Sequence, residues 1–351
     1  MTVRMILTAA VLMLAVPGFA AAQSEQDSEQ LYTTLVRSRG YVVGAALAQS
    51  GLHLRSSDTT WAHVGWNHPQ VFGIAVDPRE PEVIFLAAGN GALRSLDGGA
   101  SWRITTDWRV TEVLDVDIDP RRTTDVYIAS SYGVWRTHDR GETWSRADSI
   151  VGGKYTAAVR VDRANSGVVI VGAIDGIYRS SDRGESWSRV GAGTAITDVQ
   201  QSRSDPRVWL ASSHDGGVFV STDGARTWSG AGGSVSDASL YAVAIDPANA
   251  GRMAAVGFDT GVYVSTDTGG TWERRVGNLP GCEALTVVTD PPVNPPPCMN
   301  DVIFDQARSG RLIVATIESG LYVSDDMGRR WSYAGMDGSV VYDMTFARGP
   351  R

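Results

Sequence analysis

An all-β fold, a seven-bladed β-propeller of four-stranded antiparallel blades, is predicted by three features of this 351-residue sequence. A phrase of the form Ser/Thr-x-Asp-x-Gly-x-Ser/Thr-Trp recurs at Ser95–Trp102, Thr137–Trp144, Ser180–Trp187 and Ser265–Trp272. Altered copies stand at Ser221–Trp228, where Ala225 replaces Gly, and at Ser324–Trp331, where Arg330 precedes the Trp; a shortened one ends at Trp61. The tryptophans Trp61, Trp102, Trp144, Trp187, Trp228, Trp272 and Trp331 are spaced by 41, 42, 43, 41, 44 and 59 residues. A period just above 40 with four strand signals per unit is the pattern of propeller blades.

The unit from Glu112 to Arg146 shows the grammar. Glu112–Asp119 alternates and is stopped by Pro120, so it reads as a first strand. Asp125–Ala129 is a second strand, Gly133–Thr137 a third opened by a glycine turn, and Thr143–Arg146 a fourth. The aspartate phrase is the hairpin between strands three and four. There Gly141 supplies a positive φ, Asp139 accepts N–H bonds within its own turn, and Trp144 buries a ring beside the next sheet. Third strands recur at Gly51, Gly91, Gly133, Gly176, Gly217, Gly261 and Gly320. First strands end near Asp77-Pro78, Asp119-Pro120, Asp162, Asp205-Pro206, Asp246-Pro247 and Asp305.

Strands two to four occur seven times, beginning near Tyr41, but first strands precede only the last six sets. The segment at about 340–347, Val340 to Ala347, therefore completes the first blade and shuts the ring, which removes the open edges of a linear array. Residues 23–39 are expected to form an N-terminal arm or short helix, with Ser28-Glu29-Gln30 as a helix start; a rival first strand is Leu31–Val36. The propeller is assigned to 40–351. Residues 1–22 read as a signal peptide: Arg4, then the apolar Met5–Val16, then Ala20-x-Ala22. The expectation is an exported protein, periplasmic or extracellular, without membrane insertion once the signal is removed and monomeric.

The formal charge is −8, with no basic run, which argues against nucleic acid. Cys282 and Cys298, the only cysteines, both fall in the interval that breaks the period, about 280–299. An even count in an exported chain favours a disulfide, worth about 3 kcal/mol for a loop of this size. No metal site is expected of two thiols so spaced, and His53, His63, His68, His138 and His214 read as scattered over separate blades or loops. Neither a phosphate-cradling glycine loop nor a nucleophile elbow is present, and no cofactor is expected.

The repeat is similar to the Asp-box (bacterial neuraminidase, BNR) repeat. With its longer context, Asp-Pro followed by Gly-Val-Tyr-x-Ser-x-Asp-x-Gly-x-Thr-Trp, the chain over about 40–348 resembles the superfamily of sortilin-type propellers, photosystem II stability/assembly factors and xyloglucan-degrading glycosidases. The resemblance implies fold more than function. The assembly factors imply an exported, non-catalytic propeller that holds a partner protein. The xyloglucanases imply catalytic carboxylates in a cleft between two propellers, a cleft one propeller lacks. The sialidase Phe/Tyr-Arg-Ile-Pro motif is absent, as are the cysteine-rich modules of sortilin-type receptors.

Candidate sites follow from the repeat. Asp97, Asp139, Asp182, Asp223, Asp267 and Asp326 belong to the hairpins and read as structural. Aligned on their ends, first strands place Gly73, Asp115, Ala158, Asp198, Ala242, Asp301 and Asp343 at one level of the central channel. Its four aspartates could act as acid and base, with Arg160 balancing their charge, or could accept hydrogen bonds from the backbone of their own or the neighbouring blade. Asp175, Asp215, Asp259 and Glu318 precede turn glycines and read as solvated turns. Trp66 and Trp108 lie in successive inter-blade loops near His68, Arg109 and Tyr132, and either reach out to a protein or sugar or fold down as plugs. The function expected is a non-catalytic scaffold binding a protein or peptide rather than a glycan; the alternative is a glycoside hydrolase using Asp115, Asp198, Asp301 and Asp343.

Overall fold

The computed structural model describes residues 29–37, 49–147, 150–281 and 297–349. They form seven four-stranded antiparallel sheets. Blade one combines both ends of the chain. Its inner strand is Ser339–Arg348, followed outward by Glu29–Arg37, Gly51–Arg55 and Trp61–Val64. The inner strands of blades two to seven are Val71–Val76, Val113–Ile118, Thr156–Val161, Ile196–Gln201, Ala242–Asp246 and Met299–Phe304. Each inner strand touches the next, and the seventh returns to the first, so the ring is closed.

Closure uses the segment that the strand count singles out. Ser339–Arg348 pairs with Glu29–Arg37 from Glu29 opposite Arg348 to Arg37 opposite Ser339. Leu31 and Leu35 then pack with Val341, Met344 and the blade-seven residues Ile313 and Ala315. Two expectations are corrected here. Residues 29–37 are a strand of the propeller and not an arm or helix, and they are the second strand of blade one, where that strand was expected near Tyr41. Thr33, Thr34 and Val36 are β-branched and suit a strand. Both faces of the segment are covered from Leu31 to Leu35, which hides the alternation that would have marked it. The second correction is in blade five. Its inner strand stops at Gln201, and Ser202, not Asp205, takes the terminal position: its N–H bonds Val208 as Asp77 bonds Val83 and Asp119 bonds Asp125.

The second strands of blades two to five and seven are buried along their whole length, as in Ile84–Ala88, Val126–Ser130 and Leu312–Thr316. They sit between neighbouring blades, and the cores are inter-blade clusters. One joins Tyr127, Ala129 and Val134 of blade three to Val159, Val171, Tyr178 and Trp187 of blade four. Fourth strands such as Arg103–Ile104, Ser145–Arg146 and Ser332–Tyr333 are two residues long and exposed, and such short edges offer little to a pairing chain.

The aspartate hairpins are built as the phrase predicts. In blade three Thr137 Oγ1 donates to Asp139 Oδ1 at 2.6 Å, which also accepts from Thr143 N at 2.9 Å, while Thr143 Oγ1 donates to Oδ2 at 2.6 Å. Asp97, Asp182, Asp223 and Asp267 repeat the pattern; Asp326 accepts from Ser324 and from the Arg330 amide. Gly141 has φ +84°, and Ala225, which replaces glycine in blade five, accepts φ +59° while fully buried. The Trp61, Trp144 and Trp187 indoles donate to Ala334 O, Thr105 Oγ1 and Gly184 O.

Candidate functional site

An inner strand is a sheet edge, so every second N–H points into the channel without a ladder partner. The ring of aspartates answers that need. Pairing across each sheet sets Gly73, Asp115, Ala158, Asp198, Ala242, Asp301 and Asp343 opposite Ala87, Ala129, Gly172, Ser212, Val256, Ala315 and Thr34, one level of seven blades. Carboxylates stand in blades three, five, seven and one. Each of the first three takes the amide that follows it: Asp115 Oδ1 accepts from Val116 at 2.8 Å, Asp198 Oδ1 from Val199 at 2.7 Å, and Asp301 Oδ1 from Val302 at 2.7 Å. A second oxygen reaches the corresponding amide of the next blade: Asp115 Oδ2 accepts from Val159 at 2.8 Å, Asp198 Oδ2 from Val243 at 3.0 Å, and Asp343 Oδ2 from Ile74 at 2.9 Å. Asp301 Oδ2 turns to the Met344 amide but falls short of hydrogen-bond geometry.

One cation serves this ring. Arg160 Nη1 donates to Asp115 Oδ2 at 2.5 Å and to Val159 O at 2.7 Å, and Nη2 lies 3.7 Å from Asp198 Oδ1. Burial pushes Asp115 up to about 6 despite Arg160, and burial with the Asp115 charge pushes Asp343 up to about 7. Asp301 is raised by burial and by Asp343 beside it. Burial opposes the charge on Arg160, but Asp115, Asp198, Asp117 and Asp343 outweigh it and hold the guanidinium protonated. Asp117 staples blades three and four one level further on, accepting from Ile118 at 3.0 Å and Val161 at 2.7 Å. Asp115 and Asp343 would be protonated enough near neutrality to act as acids, but most oxygens of the ring are already engaged with backbone.

The loop face carries the exposed aromatics. Trp108 is 83% exposed, with Arg109 5.6 Å from its ring, and Trp66 is 51% exposed above a small hollow lined by Leu52, Val64, Val71 and Trp102. Trp108 is therefore no plug, whereas Trp66 is half of one. His68 accepts the Gln70 amide and sits 3.2 Å from Asn90, with burial lowering its pKa. Tyr132 donates to Glu112 at 3.3 Å, and Tyr155 is raised by burial and by the same carboxylate. Ile150, Tyr155 and Ile174 extend this exposed arc over blades three and four; they carry no motif, and their only signal is an apolar side chain in a loop. Trp209 is core, and Trp135 is half-buried and packs against the core.

Asp259 and Glu318 hold left-handed turns at φ +54° and +66°, the Asp215 amide is capped by Ser213, and Asp175 pairs with Lys154 at 2.7 Å. The histidines are less scattered than expected: His53 and His63 are cross-strand partners in blade one with ring centroids 5.0 Å apart. Among the described residues no group of three or more His, Cys, Asp or Glu could hold a metal ion. Cys298 is buried, and Cys282 lies outside the described residues.

No family model matches the sequence, and no curated protein matches it. The class defined by fold and ring is a seven-bladed propeller with structural neighbours of two kinds. The chain is similar to the GH74 xyloglucanase from Xanthomonas campestris (21% identity, 75% of this chain, 45% of that one, TM-score 0.60) and to the Niastella koreensis GH74 enzyme (15%, 89%, 54%, 0.64). It is also similar to YCF48 bound to D1 peptide (16% identity, 75% of this chain, 81% of that one, TM-score 0.54) and to YCF48 from Cyanidioschyzon merolae (15%, 75%, 84%, 0.53). The chain spans about half the length of the GH74 enzymes.

Proposed function

We propose that this propeller is an exported, non-catalytic scaffold that binds a protein or peptide on its loop face, with repeats of the Asp-box type and a Cys282–Cys298 disulfide stiffening that face. The observation that carries the reading is the exposed arc of Trp66, Trp108, Tyr132, Tyr155 and Ile174 on loops held by the blades. Aromatics beside an arginine are the usual anchors of protein interfaces. Tethering is backbone to backbone: Glu112 N donates to Gly89 O, Ser131 N to Glu112 O, and Ile174 N to Tyr155 O, so little order is lost on binding. A solved neighbour of nearly matching length, YCF48, carries a bound peptide.

The hydrolase alternative draws on the GH74 neighbours and on the raised Asp115 and Asp343. Against it stands the use of those carboxylates as inter-blade staples. The test is crosslinking in the envelope fraction of the native host, comparing wild type with Trp108→Ala. The expected result is a discrete crosslinked partner lost in the variant, with the melting temperature unchanged because Trp108 is 83% exposed. Turnover of a glycan library by the wild type, abolished by Asp115→Asn or Asp343→Asn, would reverse the assignment.

A further inference from the structure

The end of the channel opposite the loop face holds a second arrangement, independent of the scaffold reading. Where the inner strands leave the channel, each blade contributes one rim residue just beyond its strand-terminal position. In blades two, three and six it is Pro78, Pro120 or Pro247; in blades one, four, five and seven it is Arg348, Arg163, Arg203 or Gln306. All seven line one cavity of about 320 Å³ with Asp301 and Asp343 at its floor. We propose that this rim binds a small polyanion, a molecule bearing two or more carboxylate or phosphate groups, through Arg163 and Arg203, and that Glu29 occupies the site as an internal surrogate in its absence.

Three observations support this. First, the Glu29 carboxylate, from the second strand of blade one, crosses the mouth to blade five, where Arg203 Nη1 lies 3.1 Å and 3.3 Å from its two oxygens. The chain thus places a carboxylate where a ligand carboxylate would bind. Second, the Arg163 side chain has no hydrogen bond or ion pair among the described residues, while Arg203 has only Glu29. Arg163 is walled by protein yet open to the channel water, and burial together with Arg203 holds its pKa below the usual range. Arg163 and Arg203 stand close enough to repel each other, with Glu29 bound to Arg203 and Asp117 acting on Arg163 from the channel, and their planar guanidinium forks suit carboxylate and phosphate oxygens. Third, the cavity has the size of a small-molecule pocket.

The experiment is calorimetric titration of the full chain at fixed ionic strength with citrate and, separately, pyrophosphate. Saturable one-to-one binding of one of them is expected, and which one binds tells a carboxylate ligand from a phosphate ligand. Arg163→Gln and Arg203→Gln should each weaken it about tenfold or more, the loss of a charge-assisted bond. Glu29→Gln should tighten it several-fold, because the surrogate no longer competes. Trp108→Ala should leave it unchanged, which separates this site from the loop face. If an arginine variant fails to fold, the Glu29→Gln gain still decides. No binding of either anion, equal binding by Arg163→Gln, or weaker binding by Glu29→Gln would overturn the proposal.

Discussion

Replacing Asp343 by Asn should flatten the pH dependence of stability between about pH 5 and 7. The carboxyl is pushed up to about 7 in the folded protein against an ordinary 3.8. In that window the folded state holds a proton that the unfolded chain has released. Stability from this group is therefore fully present below about 3.8 and is lost as pH rises to about 7. One proton corresponds to about 1.4 kcal/mol per pH unit, so a window of roughly three units is worth at most about 4 kcal/mol. Asp115, pushed up to about 6, adds to the slope over the lower part of the window. The hairpin carboxylates act oppositely. Hydrogen bonds from their own turns hold Asp97 and Asp267 at about 2, so their contribution exists above about 3.8 and disappears as pH falls toward 2. Maximum stability should then lie near pH 4 to 5, on the order of two units below neutrality.

The assay is thermal and urea unfolding of wild type and Asp343→Asn from pH 4.5 to 8 at constant ionic strength. For the wild type the melting temperature should fall by roughly 3 °C per pH unit above pH 5. In the variant, the side-chain amide oxygen at this position can still accept from the Ile74 N–H, but the titrating proton is gone. Asp301, relieved of its charged neighbour, ionises more readily, and the slope should drop by about half. A wild-type melting temperature that is level or rising from pH 5 to 7.5, or an unchanged slope in the variant, would refute the electrostatic account of the ring.

Two further outcomes follow from the same geometry. Arg160→Gln strips Asp115 of its 2.5 Å partner. It should cost roughly 3–5 kcal/mol, more at pH 8 than at pH 5 because protonation of Asp115 relieves the loss; urea titrations at the two pH values check it. A circular permutant joining Arg348 to Glu29 by a short linker and opened at Gly232-Gly233 should fold with a melting temperature close to that of the wild type. Glu29 and Arg348 are cross-strand partners, and nothing lies within 4 Å of a Cβ added at either glycine.

Blade number, ring closure by the C-terminal strand and the aspartate hairpins are legible because each is written in local sequence. A turn needs Gly141 and Asp139 at fixed offsets, whatever lies elsewhere. The place of the Glu29–Arg37 strand is not: Leu31–Val36 can be read as a rival first strand, but its position as the second strand of blade one is set by a partner more than 300 residues away. The four ring aspartates can be aligned, yet their purpose depends on an amide one blade further round, which no single repeat contains. The rim arginines do leave a mark: proline follows the strand-terminal residue in three blades, and Arg163, Arg203, Gln306 and Arg348 replace it in the other four. The Glu29–Arg203 bridge spans the channel mouth and has no sequence signal.

The parity of the ring explains where its electrostatic cost falls. Seven channel amides, those of Ile74, Val116, Val159, Val199, Val243, Val302 and Met344, need acceptors, and one aspartate can serve its own blade and the next. With an even number of blades, aspartates in alternate blades would suffice, and no two would be neighbours. Seven blades require a fourth carboxylate, and the odd one must stand beside another. That pair is Asp301 and Asp343 in blades seven and one, at the seam where the chain ends meet. It is also where burial, with the Asp343 charge beside it, raises Asp301, where burial and the Asp115 charge raise Asp343, and where Asp301 Oδ2 is left without a hydrogen bond. Raised carboxyl pKa values in a channel are one pointer toward catalysis. Here burial is the largest cause for Asp115 and Asp343 alike, and both carboxylates also accept the channel amides that an odd ring of blades leaves to be served.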